Sequence, residues 1–243
     1  GLPIRNYFPA ALADDGEVVF SHVKEMIPYF ETVFGPFPFD VYGAVVADTD
    51  LSFALETQTM SLFGRDIITK QTGRRSPDGA QGVIAHELSH QWFGDSVSLT
   101  TWEDIWLNEG FASYAQALWL EHTQGVEVRD NLLRGWYTII TDPKLVANGF
   151  AKPGKPPRNS LFNTAVYLRG GWTLHALRLK IGDEKFFETL KTYTKTYAYG
   201  NATTADFIAI AEQVSGEDLQ QLFQDWLYTD AVPNVPEMGL SAE

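Results

Sequence analysis

Apolar residues recur at helical spacing over Val19, Val23, Met26, Ile27, Phe30 and Phe34, which predicts an amphipathic helix over about 17–34. The turn residues Gly35-Pro36-Phe37-Pro38 end it. DVYGAVVAD (40–48) is a short β-branched run between turn signals and predicts a strand. FALETQTMSLF (53–63) alternates loosely, as one or two extended segments do, and RRSPDG (74–79) predicts a loop. From there the pattern turns helical. GVIAHELSHQWF (82–93) predicts a helix with a capping box from Asp78 and Gln81 and a stop at Gly94. A second helix is predicted from Asn108 to His122, ahead of Gly125. The stretch 142–160 carries four prolines and few periodic apolar positions, so it predicts a long loop of the kind that often carries function. Four further helices are predicted near 163–181, 184–198, 205–214 and 218–228, with Gly182 closing the first and Asp183 capping the second.

These elements predict an α+β chain: one domain over 1–235, with a mixed α/β lobe (1–94), an all-helical lobe (95–235) and the site in the cleft between them. Residues 236–243 read as an irregular tail. No internal repeat is visible.

Composition narrows the function classes. Hydrophobic residues make up 44% and charged residues 20%, a balance typical of globular chains. Asp and Glu outnumber Lys and Arg by 31 to 18, and a net charge of −13 repels phosphate backbones, which argues against nucleic acid as partner. The longest apolar run, Val41 to Ala47, is too short to span a bilayer. With no cysteine, disulfides, thiol nucleophiles and thiolate metal sites are excluded, while the compartment stays open.

Candidate chemistry concentrates in His86-Glu87-Leu88-Ser89-His90. Residues four apart share a helix face, so both imidazoles can reach one ion, and Glu87 can point into the same cleft as a base. A catalytic zinc needs a third protein ligand and a fourth, open position. Glu109 in WLNEGFA, with eighteen residues between it and His90, is the candidate, although a Glu at a helix start also serves as a dipole partner.

The segment HELSHQWFGDSVSLTTWEDIWLNEGFASY (86–114) resembles the zinc signature of the M1 metalloaminopeptidases, the gluzincin group, almost throughout. In that family the two His and the distal Glu bind zinc and the inner Glu is the general base. The resemblance implies these roles for His86, His90, Glu109 and Glu87, one zinc per chain, and a thermolysin-like catalytic fold. Tyr167-Leu168-Arg169-Gly170 is similar to the family's Tyr-x-Lys-Gly, whose Tyr stabilises the tetrahedral intermediate, with Arg in place of Lys. Ala54 and Glu56 in Phe53-Ala54-Leu55-Glu56-Thr57 match the family's Gly-x-Met-Glu-Asn strand, whose Glu binds the substrate's α-amino group. Phe and Leu replace the family's Gly and Met there.

The resemblance further implies peptide substrates, release of N-terminal residues, and flanking domains in a longer protein. One such domain in the family supplies a further carboxylate to the substrate amine. Two alternatives stand beside the aminopeptidase reading: a broad zinc endopeptidase, and a zinc domain that binds peptides with little activity. Of the other histidines, His22 reads as solvated, His122 as a helix-end dipole partner and His175 as a packing residue. Glu103 and Asp104, just before the third ligand, are candidates to orient a ligand imidazole.

Overall fold

The computed structural model describes residues 1–70 and 77–242. The first amphipathic stretch forms two helices, α1 (Ala13–Val19) and α2 (Val23–Phe34), rather than one. The break lets Phe20 turn inward, edge-on to Phe63 at 5.1 Å, while the stripe Val23, Met26, Ile27, Phe30 and Phe34 packs elsewhere in the core. One straight helix cannot aim both at once.

The strand run is realised as β1 (Ala44–Ala47), which pairs in parallel with β2 (Ser61–Gly64), Ala44 opposite Ser61. The N-terminal segment adds parallel bridges at Ile4–Tyr42 and Tyr7–Val45. Of the loosely alternating segment 53–63, only its second part is strand. Leu55 exchanges backbone hydrogen bonds with Leu62 at 2.9 and 2.8 Å across a tight turn over 57–60. That turn brings Glu56 to the edge of the first lobe. The short helix α3 (Asp66–Thr69) follows.

The metal-motif helix α4 spans Pro77–Ser89. The loop expected over 74–79 is therefore helical from Pro77; its residues 74–76 and the side chain of Asp78, proposed as a cap, lie outside the described residues. The helical lobe is not all helix, because β3 (Val97–Leu99) pairs in parallel with β4 (Gly200–Ala202). This pair fastens the loop after α4 to a segment about a hundred residues further along the chain.

Helix α5 (Trp106–Gln124) is the central element, with apolar or small residues buried on almost every side. It packs between α4, α6 (Val126–Ile140) and α8 (Thr164–Thr196). Helix α6 went unrecognised in the sequence. The long loop 142–160 contains a short helix, α7 (Pro143–Ala147), capped by the Asp142 carboxylate, which accepts from Lys144 N at 2.9 Å. Helix α8 is interrupted at Gly182, whose φ of 79° is left-handed backbone, so the two helices expected there follow each other directly. Helices α9 (Thr204–Ser215) and α10 (Gln220–Tyr228) close the lobe.

The tail is less irregular than its composition implies. Residues Pro236–Met238 form a 3-10 turn, Val235 bridges Leu240, and Arg134 donates to the Met238 carbonyl at 2.6 Å. No described helix is long and apolar enough to cross a membrane.

Candidate metal centre and active site

Two helices bring the ligand candidates together. His86 lies in the last turn of α4, His90 directly follows the helix one turn further on, and Glu109 lies in the first turn of α5. His86 Nε2 is 3.2 Å and His90 Nε2 3.6 Å from the same oxygen, Glu109 Oε2. Three donors around one tetrahedral ion at bonds of about 2.1 Å would stand roughly 3.4 Å apart, so this triad matches the spacing zinc requires. The donor set, two imidazoles and a carboxylate, also suits zinc.

The far nitrogens of the imidazoles are held as well. His90 Nδ1 donates to the Phe93 carbonyl at 3.0 Å, and His86 Nδ1 is 2.9 Å from the side-chain amide of Gln116. The atom at that distance is Gln116 Nε2, a donor to Nδ1; a metal on Nε2 would put the proton on Nδ1 and require the amide to present its oxygen instead. The carboxylates expected in this role are elsewhere. Asp104 accepts from Thr204 N and Oγ1 at 3.1 and 2.7 Å, capping the start of α9, and Glu103 is exposed. Gln116 is an uncharged residue and carries no motif of its own. Its place two turns after Glu109, on the same face of α5, was the available signal.

Charge is tightly coupled here. Burial pulls both imidazoles down. At His90 the hydrogen bond and charge of Glu109 outweigh burial and raise it to about 10; at His86 they do not, and it stays lowered. Burial alone would raise Glu109, but its bonds to the two imidazoles lower it to about 2. A divalent cation bound here would take the place of any proton shared among the trio.

Glu87 is buried beside the triad, and its Oε2 is a buried oxygen with no partner among the described residues. Burial first, then the nearby Glu56 and Glu109 carboxylates, push it up to about 8 against the pull of His90. So raised, Glu87 holds a proton at neutral pH; a divalent cation on the neighbouring triad would favour its ionised form and leave the unpartnered oxygen free to accept a proton from water. Single oxygens of Glu56 and Glu87 and a nitrogen of His90 lie within 4.8 Å of one another, so Glu56 reaches the same centre. Tyr167, in the first turn of α8, lays its ring parallel to that of His86, centroids 6.0 Å apart. Burial and the neighbouring carboxylates raise its hydroxyl, so it stays a donor.

All seven residues singled out in the sequence, Ala54, Glu56, His86, Glu87, His90, Glu109 and Tyr167, line one cleft of about 840 Å³. Exposed Trp102 and Phe162 stand edge to face at its rim, 6.2 Å apart. His175 lies outside the cleft, buried against Tyr114 and Trp172, and His122 stacks on Tyr29 at 4.1 Å. Arg169, which stands where the resembling motif has Lys, points away from the cleft. It donates to the carbonyls of Ala151, Asp225 and Ala231 at 2.7–2.8 Å and of Asp230 at 3.2 Å.

The model of the peptidase family M1 domain matches residues 18–226. The chain belongs to peptidase family M1. Among M1 relatives, aminopeptidase N of Streptomyces lividans is 26% identical over the whole chain, which spans 30% of that protein. Aminopeptidase M1-B of Oryza sativa is 27% identical over 96% of the chain, which spans 28% of it. An M1 zinc metallopeptidase mutant from Deinococcus radiodurans superposes with a TM-score of 0.79 at 30% identity, covering 96% of this chain and 50% of that one. A mutant structure from the same organism holds a Tyr-Ser-Ala substrate, and a further two-domain M1 zinc metallopeptidase mutant, 29% identical, holds L-arginine. Yeast leukotriene A4 hydrolase shares the fold at a TM-score of 0.82 and 21% identity. The chain thus spans half or less of the length of these M1 proteins.

Proposed function

We propose that this M1 domain hydrolyses peptides at their N-terminal bond, using one zinc ion held by His86, His90 and Glu109. The observation that carries the reading is the convergence of a third carboxylate, Glu56, on the Glu87–His90 side of the triad. A peptidase without need of a free N-terminus has no use for an extra anion there.

Zinc, when bound, polarises the scissile carbonyl and acidifies a water molecule. Glu87 Oε2, otherwise without a partner, takes the proton from the attacking water and delivers it to the leaving amine. The Tyr167 hydroxyl donates to the carbonyl oxygen as it becomes an oxyanion. Glu56 pairs with the substrate's α-ammonium group, and that pair strengthens as substrate excludes water from the cleft. The Tyr-Ser-Ala complex of the Deinococcus relative supports peptide as the substrate class.

The test is the ratio of kcat/KM for a free and an N-acetylated peptide, in the zinc-loaded protein and in Glu56→Gln. The expected result is a strong preference for the free amine that collapses in the variant. Equal hydrolysis of both peptides by the parent would make the domain a general zinc peptidase.

A further inference from the structure

We propose that Gln91 is a positioning residue for the Glu56 anchor: its side-chain amide ties the Glu56–Met60 turn to the metal helix and so sets selectivity for free N-termini. The inference rests on the reading of Glu56 as the residue that meets the substrate amine.

Gln91 directly follows the second ligand, His90, and is fully buried. A buried amide needs partners for both ends. Its Oε1 accepts from the backbone N–H of Thr59 at 2.7 Å, and its Nε2 donates to Asp95 Oδ2 at 2.7 Å and stands 3.5 Å from the Glu56 carbonyl. A backbone N–H can only donate, so Oε1 must face Thr59, and Nε2 is left to Asp95. The orientation of the amide is therefore determined by its neighbours. Asp95 follows α4 at the Gly94 turn, where its own N–H donates to the His90 carbonyl at 3.0 Å. Ligand, amide and carboxylate form one rigid unit.

The turn it holds does not sit comfortably by itself. Thr59 has φ of 65°, in the left-handed region that a β-branched residue rarely adopts. Such a conformation persists only where surroundings impose it. Met60 N donates to the Thr57 carbonyl at 2.9 Å, and the Thr57 hydroxyl to the Met60 carbonyl, but both bonds lie inside the turn. Gln91 supplies the tie from outside.

The experiment uses the zinc-loaded protein, with Gln91→Leu, Gln91→Glu and the pair Gln91→Glu/Asp95→Asn beside Glu56→Gln. Gln91→Leu keeps bulk but loses both polar contacts. It is expected to lower the free-to-acetylated ratio of kcat/KM roughly 10- to 100-fold, chiefly through KM of the free peptide, with zinc stoichiometry unchanged. The Thr59 amide should lose protection from hydrogen exchange. Gln91→Glu sets two carboxylates against each other and should also fail. Adding Asp95→Asn restores a donor opposite an acceptor and should recover the ratio, which a purely packing role would not predict. A parental ratio in Gln91→Leu while Glu56→Gln collapses it, or loss of zinc in place of selectivity, would overturn the role of Gln91. A parental ratio in Glu56→Gln itself would overturn the anchor reading, and this inference with it. If Gln91→Leu does not fold, the Glu and Glu/Asn pair decides by rescue alone.

Discussion

Gly110 and Gly170 meet backbone to backbone: a β-carbon on Gly110 would lie 2.8 Å from the Gly170 carbonyl carbon, and one on Gly170 3.0 Å from the Gly110 α-carbon. Glu109 precedes the first glycine, and Tyr167 lies one turn before the second. The crossing of α5 and α8 therefore sets how far Glu109, the proposed third ligand, stands from Tyr167, the proposed oxyanion donor. Alanine at Gly110 must push backbone against backbone, with no flexible side chain to yield. The expected cost is about 1–3 kcal/mol of stability, from overpacking. Turnover should fall further than the melt explains, because Tyr167 moves relative to the triad. Thermal melts and kcat of the zinc-loaded Gly110→Ala protein check this; an unchanged pair of values would mean the helices can separate freely.

Glu87→Gln preserves shape and the triad but removes the proton acceptor. Activity is expected to fall by roughly 10²–10⁴-fold with zinc still bound. His86→Ala and Glu109→Ala should instead lose the metal, since each leaves a site with two ligands. Elemental analysis of protein purified without chelator separates the two cases, with about one zinc per chain expected in Glu87→Gln.

Tyr167→Phe deletes one donor and keeps the ring beside His86. A drop on the order of 10²–10³ in kcat with a smaller change in KM is expected. Steady-state kinetics giving the parental kcat would leave Tyr167 a packing residue.

Arg169→Lys tests the one clear departure from the resembling Tyr-x-Lys-Gly motif. The guanidinium bridges the end of α10, the following 230–231 segment and Ala151 of the long loop. A lysine ammonium cannot span these acceptors, and each buried carbonyl left without a donor costs about 1–3 kcal/mol. Urea unfolding should show destabilisation of at least that size, and limited proteolysis should cut sooner in the loop 142–160. A silent substitution would show that water replaces the lost donors.

The convergence of the candidate ligands and base was legible because their pattern is local: His86, Glu87 and His90 lie within one helical turn, and Glu109 stands in a distinctive segment. Most helices were legible from their periodicity and stops. What escaped was set by tertiary contacts. Helix α6 was passed over although its buried positions, Leu133, Trp136, Tyr137 and Ile140, keep helical spacing. Strands β3 and β4 are three residues each and exist only through each other, about a hundred residues apart. The helix expected over 17–34 splits because Phe20 finds Phe63, which no local pattern reports. At the site, the imidazole partners proved to be an amide and a backbone carbonyl, groups that carry no charge to search for.

Stability should depend on pH through a histidine that the chemistry does not use. His175 on α8 is buried, its Nδ1 is 3.0 Å from the Tyr114 hydroxyl, and its Nε2 has no partner among the described residues. Burial, then the charges of Arg129 and Arg178, lower it from 6.5 to about 3, against weaker opposing pulls from Asp130 and Glu121. The unfolded chain therefore takes a proton on this residue below about pH 6.5, while the folded chain refuses it until about pH 3. In that window the unfolded state binds more protons, so stability rises with pH and is lost as pH falls. The slope approaches about 1.4 kcal/mol per pH unit from this group alone, and vanishes above pH 6.5. Glu121 and Asp183, both lowered and both bonded to Arg178, add loss of the same sign, but only as carboxylates protonate at lower pH. His175→Gln isolates the term, because an amide can still accept from Tyr114 and never ionises. Urea unfolding at a series of pH values from 7.5 to 5 should show the parent losing stability below pH 6.5 and the variant holding flatter. Contributions from the metal site, common to both proteins, cancel in the difference between the two curves. Parallel curves would mean that His175 takes up its proton in the folded state as readily as in the unfolded one.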